Sequence, residues 1–185
     1  MSRRSRMPPP VDRPEVRAVA AALLGQLGPS GTTPVVAGPA DAPALAALSA
    51  ACFGPTAITA AGWRRSLGRA NALVLTLRAG PELRCHCLIE FNRSQRRAYV
   101  VETATAEAAR GQGLALFLRG RLELFCVSVG YRHIASHVSV DNAAARALNR
   151  RAGMVEVGQM EGYYDDGGAA IDLRKTLAAA PGSPA

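Results

Sequence analysis

The stretch from Ala98 to Val140 constrains the fold more than any other part of the chain. Its hydrophobic pattern predicts a strand at Ala98–Thr105, a glycine-containing loop, a helix at Leu114–Val129 and a second strand at Ile134–Val140. Two consecutive strands joined through a helix form a parallel pair with a right-handed connection. Ligands of such sheets bind beyond the carboxyl ends of the parallel strands, so we expect the functional site there.

An antiparallel meander precedes this stretch. Apolar runs at Leu73–Leu77 and Leu83–Phe91 predict two strands, with turns at Gly80-Pro81 and Asn92–Gln95. Together with the parallel pair they predict an α/β (α+β) fold, in which a mixed, mostly antiparallel sheet is flanked by helices. The remaining predicted elements are a strand at Val35-Val36, helices around Leu45–Cys52 and Trp63–Leu67, the second capped by Thr59, a helix at Ala143–Ala152 capped by Asp141 or Asn142, and strands at Val155–Val157 and Ala169–Leu173.

The N-terminal part of the chain has the pattern of an addition to a main domain. Residues 1–10 are basic and proline-rich and cannot bury enough apolar surface to order themselves, so we predict a disordered tail. From Pro14 to Gly28 apolar residues recur at helical spacing, which predicts an appended amphipathic helix, and a linker follows at Pro29–Pro34. The predicted segments are the addition at 1–33, a main domain at 34–177 and a second disordered tail at 178–185.

The net charge of +8 raises the question of a nucleic-acid partner. Lys175 is the one lysine among 22 basic residues, and the arginines are scattered among alanine, glycine and proline. The sequence has no alternation of arginine with aromatic residues of the kind that stacks bases. Nucleic acid is therefore the least favoured partner.

The four cysteines lie in apolar stretches and lack the spacing of a disulfide framework, which predicts a reduced, cytoplasmic compartment. Cys85-His86-Cys87 has the composition of a metal tract. It falls in an alternating strand, where successive side chains point to opposite faces, so we expect core packing and no metal. Because the sequence has no run of 18 apolar residues and no signal-type stretch, we predict a soluble protein without a membrane partner.

The loop between the predicted parallel strands, Arg110–Ala115 with the sequence RGQGLA, opens the following helix. Backbone N–H groups at a helix N-terminus can converge on an anion, and glycine allows a phosphate to approach the backbone closely. Taken alone, the pattern also fits an ordinary glycine-containing turn. A second motif further along the chain favours the anion site.

That second motif begins at Asn142, directly after a predicted strand, and ends at Gly153. Here the sequence resembles the GNAT superfamily of N-acetyltransferases. Arg110–Ala115 matches the superfamily's Q/R-x-x-G-x-G/A loop, and the second motif matches its N-x-x-A-x-x-L-Y-x-x-x-G-F segment. In the order of elements the resemblance extends from Pro34 to Leu177.

The resemblance implies a sheet that is splayed between its fourth and fifth strands, with the pantetheine arm of acetyl-CoA in the gap. Acetyl-CoA would be the cosubstrate, and no metal would be needed. The residues that we assign to its binding are Ala104, Thr105, Arg110, Gly111, Gln112, Gly113, Leu114, Ala115, Asn142 and Ala145.

A narrower resemblance connects Tyr99, His137 and the pair Tyr163-Tyr164 with the N-terminal α-amine acetyltransferases, including the ribosomal-protein alanine enzymes. It implies that His137 is the general base, that Tyr99 shares the water that carries the proton, and that the paired tyrosines contact the acceptor. Each of these side chains also fits a plain packing role. Glu102 is a rival base, because other GNAT enzymes use a carboxylate of the fourth strand. Strict alternation places Glu102 on the opposite strand face from Tyr99.

One position departs from the family pattern. The tyrosine that many GNAT enzymes use to protonate departing coenzyme A would fall at position 149, which is Asn149 here. A thiol with a pKa around 8.5 departs passably unassisted near neutral pH, whereas an acceptor ammonium with a pKa of about 8 to 10 must first lose its proton. The base is therefore expected to matter more than the acid.

The expected activity is transfer of an acetyl group from acetyl-CoA to a primary amine. The acceptor stays open between a protein or peptide N-terminal α-amine and a small-molecule amine, such as an amino acid or a polyamine. Asn149 keeps a third interpretation open, in which the domain binds acetyl-CoA as a sensor without turnover. A homodimer is compatible with the sequence.

Overall fold

The computed structural model of the chain describes residues 7–25 and 27–178. These residues form a seven-stranded sheet and five α-helices. The helices are α1 (Pro14–Leu24), α2 (Ala42–Phe53), α3 (Ala60–Leu67), α4 (Leu114–Val129) and α5 (Ala143–Arg151). The strands are β1 (Thr33–Val36), β2 (Ala72–Ala79), β3 (Glu82–Asn92), β4 (Arg97–Thr105), β5 (His133–Ser139), β6 (Val155–Met160) and β7 (Ala170–Thr176).

The strands lie in the order β1-β2-β3-β4-β5-β7-β6, and the pair β4–β5 is parallel while the other neighbouring pairs are antiparallel. The predicted mixed, mostly antiparallel sheet is thus confirmed. The helical crossover between β4 and β5 is the element that makes them parallel. Short turns join β2 to β3 and β3 to β4, whereas α2 and α3 lie between β1 and β2, and α5 lies between β5 and β6.

Two cores cover the two faces of the sheet. On one face α1 and α4 pack against β2, β3 and β4, and the core there includes Leu75, Cys87 and Leu118. On the other face α2 and α3 pack against the same strands around Leu45 and Trp63. Because β2 is buried on both faces, its sequence is an almost continuous apolar run instead of an alternating one.

The cysteine-histidine tract alternates between these cores, as predicted. Cys85 and Cys87 lie in the α1–α4 core, while His86 is fully buried on the α2–α3 face. All four cysteines are free thiols, and the cytoplasmic location inferred from them stays a prediction. Among the described helices none alone is long and apolar enough to cross a membrane; Pro39–Thr56 and Ala60–Leu67 meet that criterion together, but across a 117° bend.

Because of a β-bulge in β4, Glu102 lies on a different face of the sheet from the predicted one. In the register with β3, Ile89 lies opposite Val100 and Leu88 lies opposite Glu102, so that Val101 is an extra residue in β4. The extra residue shifts the alternation by one position. Glu102 therefore lies on the same face as Tyr99, the face covered by α2 and α3, and the prediction of opposite faces was wrong.

The N-terminal helix is part of the main core. Its residues Val16, Ala20 and Leu24 are buried in the α1–α4 core, and the helix ends at Leu24, before the predicted stop at Gly28. The predicted linker contains a 3-10 turn at Pro29–Gly31 and the first residues of β1.

Part of the predicted N-terminal tail lies against the sheet. Pro8 is buried, and its carbonyl oxygen accepts a 2.8 Å hydrogen bond from Nε of Arg93 in the turn between β3 and β4. Val11, which follows, is 1% exposed. The predictions of disorder for residues 1–6 and 179–185 fall outside the described residues.

Candidate active site

The site begins where β4 and β5 part. Within the described chain three residue pairs join these strands, from Arg97 opposite His133 to Tyr99 opposite Ala135, after which both strands continue without pairing. At the point of parting the Ser136 hydroxyl donates a 3.1 Å hydrogen bond to the carbonyl oxygen of Val100. The result is a gap between the carboxyl-terminal halves of β4 and β5, at the place where the sequence predicts a splay.

The loop before α4 forms an open cradle of backbone N–H groups. Gly111 and Gly113 have φ values of 76° and 78°, in the left-handed region that glycine adopts without strain. The first main-chain hydrogen bond of α4 runs from the Phe117 N–H to the Gly113 carbonyl, so the N–H groups of the first turn have no partner within the helix. A Cβ atom at Gly113 would meet no atom of the described residues within 4 Å, which leaves space for an anion over this turn.

A cavity of about 170 Å³ lies between this loop and α5. Six of the residues predicted to bind acetyl-CoA line it, and so do Leu148 and Arg151, which the sequence analysis did not assign. Arg146, five residues before Arg151, does not line the cavity. Its guanidinium forms an ion pair with Glu156. The predicted residues that line the cavity are Thr105, Arg110, Gly111, Gly113, Leu114 and Ala115.

The other four predicted binding residues do not line this cavity. The Gln112 side chain turns back and donates a 3.1 Å hydrogen bond to the Ala108 carbonyl. Ala104 is buried in the α2–α3 core. Asn142 caps α5, because its side-chain oxygen accepts a 2.9 Å hydrogen bond from the Ala145 N–H. A role for these four in acetyl-CoA binding stays a prediction.

An aromatic cluster fills the α2–α3 side of the gap. The His137 ring lies between Tyr99 and Tyr163, with ring centroids 5.2 and 4.9 Å away, and Tyr164 contacts Tyr163 at 5.0 Å. His137 Nδ1 is 2.8 Å from the Tyr163 hydroxyl. The structure thus brings together all four residues that the narrower resemblance singled out.

Burial sets the protonation of this cluster. It lowers the pKa of His137, with Arg97 and Arg174 acting in the same direction and the Asp172 carboxylate opposing them. Burial and a hydrogen bond with Tyr163 raise the pKa of Tyr99. Near neutral pH the imidazole is therefore neutral and able to accept a proton, while the Tyr99 phenol keeps its proton.

Asp172 is a site residue that the sequence analysis missed. It lies opposite His137 in the β5–β7 register, and its carboxylate is 3.8 Å from His137 Nε2 while Arg174 holds it in an ion pair. The distance is too long for a direct hydrogen bond. No local sequence signal marks Asp172, because the cross-strand register alone brings it to the histidine.

A family model described as the acetyltransferase (GNAT) family matches residues 57–154, more than half of the chain. This chain belongs to the GNAT acetyltransferase family. It is therefore an acyltransferase. No curated protein sequence matches it.

Solved structures show the same fold at low sequence identity. The ribosomal-protein-S18-alanine N-acetyltransferase of Escherichia coli superposes with a TM-score of 0.72 and 20% identity, over 83% of this chain and 99% of that one. Ard1 of Thermoplasma volcanium gives 0.68 and 19%, over 80% and 98% of the two chains. NAA60 of Arabidopsis thaliana, solved in complex with acetyl-CoA, gives 0.69 and 14%, over 79% and 98%.

In this GNAT chain Glu102 belongs to a buried hydrogen-bond network. Its Oε1 atom accepts a 2.5 Å hydrogen bond from the Ser49 hydroxyl and lies 2.7 Å from His86 Nε2. Ser49 in turn accepts a 3.2 Å hydrogen bond from the indole N–H of Trp63, whose ring contacts His86 edge-on. The carboxylate is therefore fixed between α2, α3 and β3, and one of its oxygens is already occupied.

The side chain at position 149 also has a fixed role. Asn149 is 2% exposed, its Oδ1 accepts a 2.8 Å hydrogen bond from the Arg119 guanidinium, and its Nδ2 donates to the Ala145 carbonyl. An amide has no proton that it can give up near neutral pH. This GNAT chain therefore has no general acid at that position.

Proposed function

We propose that the protein transfers the acetyl group of acetyl-CoA to the α-amine at the N terminus of a peptide or protein. The observation that carries the proposal is the His137 ring, held between Tyr99 and Tyr163 at the point where β4 and β5 part. A neutral imidazole stands there beside a gap that is open to a donor from one side and to an acceptor from the other.

The donor enters from the loop side. The pyrophosphate of acetyl-CoA binds the free N–H groups at the start of α4, where the helix dipole favours negative charge. Arg110 and Arg151 line the same cavity and supply positive charge. The pantetheine arm then runs into the gap, where β4 and β5 present main-chain groups without a strand partner.

The acceptor enters from the side of the aromatic cluster. A cavity of about 560 Å³ adjoins Tyr99 and is lined mostly by polar side chains, among them Asn71, Glu90 and Arg97. A peptide could place its first residue at Tyr163 and continue past Tyr99 along this cavity. The polar lining offers hydrogen-bond partners to the main chain of a peptide, and on this we base the proposal of a peptide acceptor.

His137 accepts the proton that the acceptor ammonium must lose before its nitrogen can attack the thioester. An N-terminal α-ammonium has a pKa of about 8, so a neutral imidazole nearby can take that proton, directly or through one water molecule. Tyr99, which keeps its own proton, orients that water. Glu102 is the alternative base on the same face, and its hydrogen bonds with Ser49 and His86 favour a structural role instead.

The cradle at the start of α4 is tested by Gly113→Glu. We expect the affinity for acetyl-CoA to fall about tenfold or more, because the new side chain adds negative charge where the pyrophosphate binds and strains a backbone with a φ of 78°. Isothermal titration measures it. Gly120→Glu is the matched control, since Gly120 is exposed on the same helix with free space around it. Equal affinity of the two variants for acetyl-CoA would refute the proposed binding of the pyrophosphate at this loop.

The base is tested by His137→Ala. We expect kcat to fall by about 10²-fold or more while the affinity for acetyl-CoA stays nearly unchanged, because a positioned general base is removed from the chemical step alone. His133→Ala, an exposed histidine of the same strand, should behave like the wild type. Glu102→Gln keeps an acceptor oxygen for Ser49 and should also turn over. If Glu102→Gln abolishes turnover and His137→Ala does not, the carboxylate is the base.

The acceptor class is tested by thiol release from acetyl-CoA. A short peptide with a free N terminus should be acetylated, and the same peptide with a formylated N terminus and a free lysine side chain should not. Spermidine and free amino acids should react much more slowly than the peptide. Faster turnover of either small amine would contradict the proposed acceptor. Tight binding of acetyl-CoA without thiol release in the presence of any of these amines would favour the interpretation that the domain is a sensor.

A further inference from the structure

We propose that the buried guanidinium of Arg119, held in place by Asn149, stabilises the coenzyme A thiolate as it leaves. This inference rests on the proposed use of acetyl-CoA as donor. In this chain a fixed positive charge would then stabilise the departing coenzyme A, which many GNAT enzymes protonate with a tyrosine.

Arg119 is a cation inside the protein. It lies on the sheet-facing side of α4 and is 4% exposed. Its Nη2 atom donates a 2.8 Å hydrogen bond to Asn149 Oδ1. Its Nε and Nη1 atoms are buried and have no hydrogen-bond partner within residues 7–25 and 27–178. A buried guanidinium with two unmatched N–H groups is costly unless an anion or a strong acceptor reaches it.

The groups around Arg119 do not supply that anion. On the β3 side it faces Cys85 and Cys87, and burial raises the pKa of both thiols, that of Cys85 to about 12, so they remain neutral. On α4 the neighbouring carboxylate is Glu123, which is already bound by Lys175 at 2.6 Å. Burial lowers the pKa of Arg119, yet a guanidinium keeps its charge in proteins. The positive charge is therefore present and poorly compensated.

Two observations connect the surroundings of Arg119 with the donor cavity, which Arg119 itself does not line. Leu148, the residue before Asn149, lines the cavity between the loop and α5. Thr105 also lines it, and its hydroxyl is 3.3 Å from the Cys85 thiol that faces Arg119. Asn149 itself stands where the family pattern has the tyrosine that protonates coenzyme A. From the place of Asn149 in that pattern and its contact with Arg119, we infer that the unmatched N–H groups lie near the sulfur of a bound thioester.

The chemistry at this place produces an anion. The deprotonated amine attacks the thioester carbonyl, a C–N bond forms and the C–S bond breaks, and its electron pair goes to sulfur. The proton from the amine is held by His137 on the other side of the gap and passes to solvent. A thiolate in a buried site needs either a proton or a positive partner, and Arg119 supplies the second.

We expect the thiol of bound coenzyme A to be unusually acidic. In a pH titration of the coenzyme A complex, followed by the ultraviolet absorbance of the thiolate against a desulfo-coenzyme A blank, we expect the thiol pKa to lie at least one unit below its ordinary value of about 8.5. In Arg119→Met it should return to about 8.5, and kcat should fall about tenfold or more. Arg121→Met, on the same helix and half-buried, is the matched control and should behave like the wild type.

An ordinary thiol pKa in the wild-type complex would overturn the inference, whether or not the Arg119 variant folds. A lowered pKa that persists in Arg119→Met would overturn it as well, because another group would then hold the thiolate. Failure of wild-type protein to bind coenzyme A would contradict the proposed function itself. Normal binding with an ordinary pKa would contradict only the role of Arg119.

Discussion

The pairing of β4 with β5 ends after three residue pairs in the described chain, and the other parts of the site depend on where it ends. Up to Tyr99 the parallel strands hold each other in register; beyond it they diverge and leave main-chain edges that no strand covers. The bulge at Val101 in the same part of β4 turns Glu102 to the face of Tyr99. A short parallel pairing thus creates both the gap and the set of side chains that face it.

Two chemically different sides meet at this gap. The loop side offers N–H groups, arginines and the buried guanidinium of Arg119, all suited to negative charge. The aromatic side offers a neutral His137, which is suited to taking a proton. Acyl transfer to an amine needs this division, because the donor loses an anion while the acceptor loses a proton. Buried groups such as Arg119 cost stability, and the large cores on both sheet faces offset that cost.

Much of the fold and the loop before α4 could be predicted from the sequence, because they depend on local signals. Apolar periodicity and the glycine stops predict the elements, and α4 was predicted at the bounds observed. The network of Glu102 with Ser49 joins residues 53 positions apart, and the bulge depends on the β3–β4 register, so neither has a local signal. Arg119 was missed because an arginine in an amphipathic helix is usually solvated.

In the proposed mechanism acyl transfer occurs in the β4–β5 gap, between Arg119 and His137. The most direct test is a crystal structure with a bisubstrate ligand, in which coenzyme A is joined through an acetyl bridge to the N terminus of a peptide. We expect the sulfur near the Arg119 guanidinium and the amine nitrogen within hydrogen-bond reach of His137, directly or through one water molecule. A nitrogen bound to Glu102 and remote from His137, or a coenzyme A outside the gap, would contradict it.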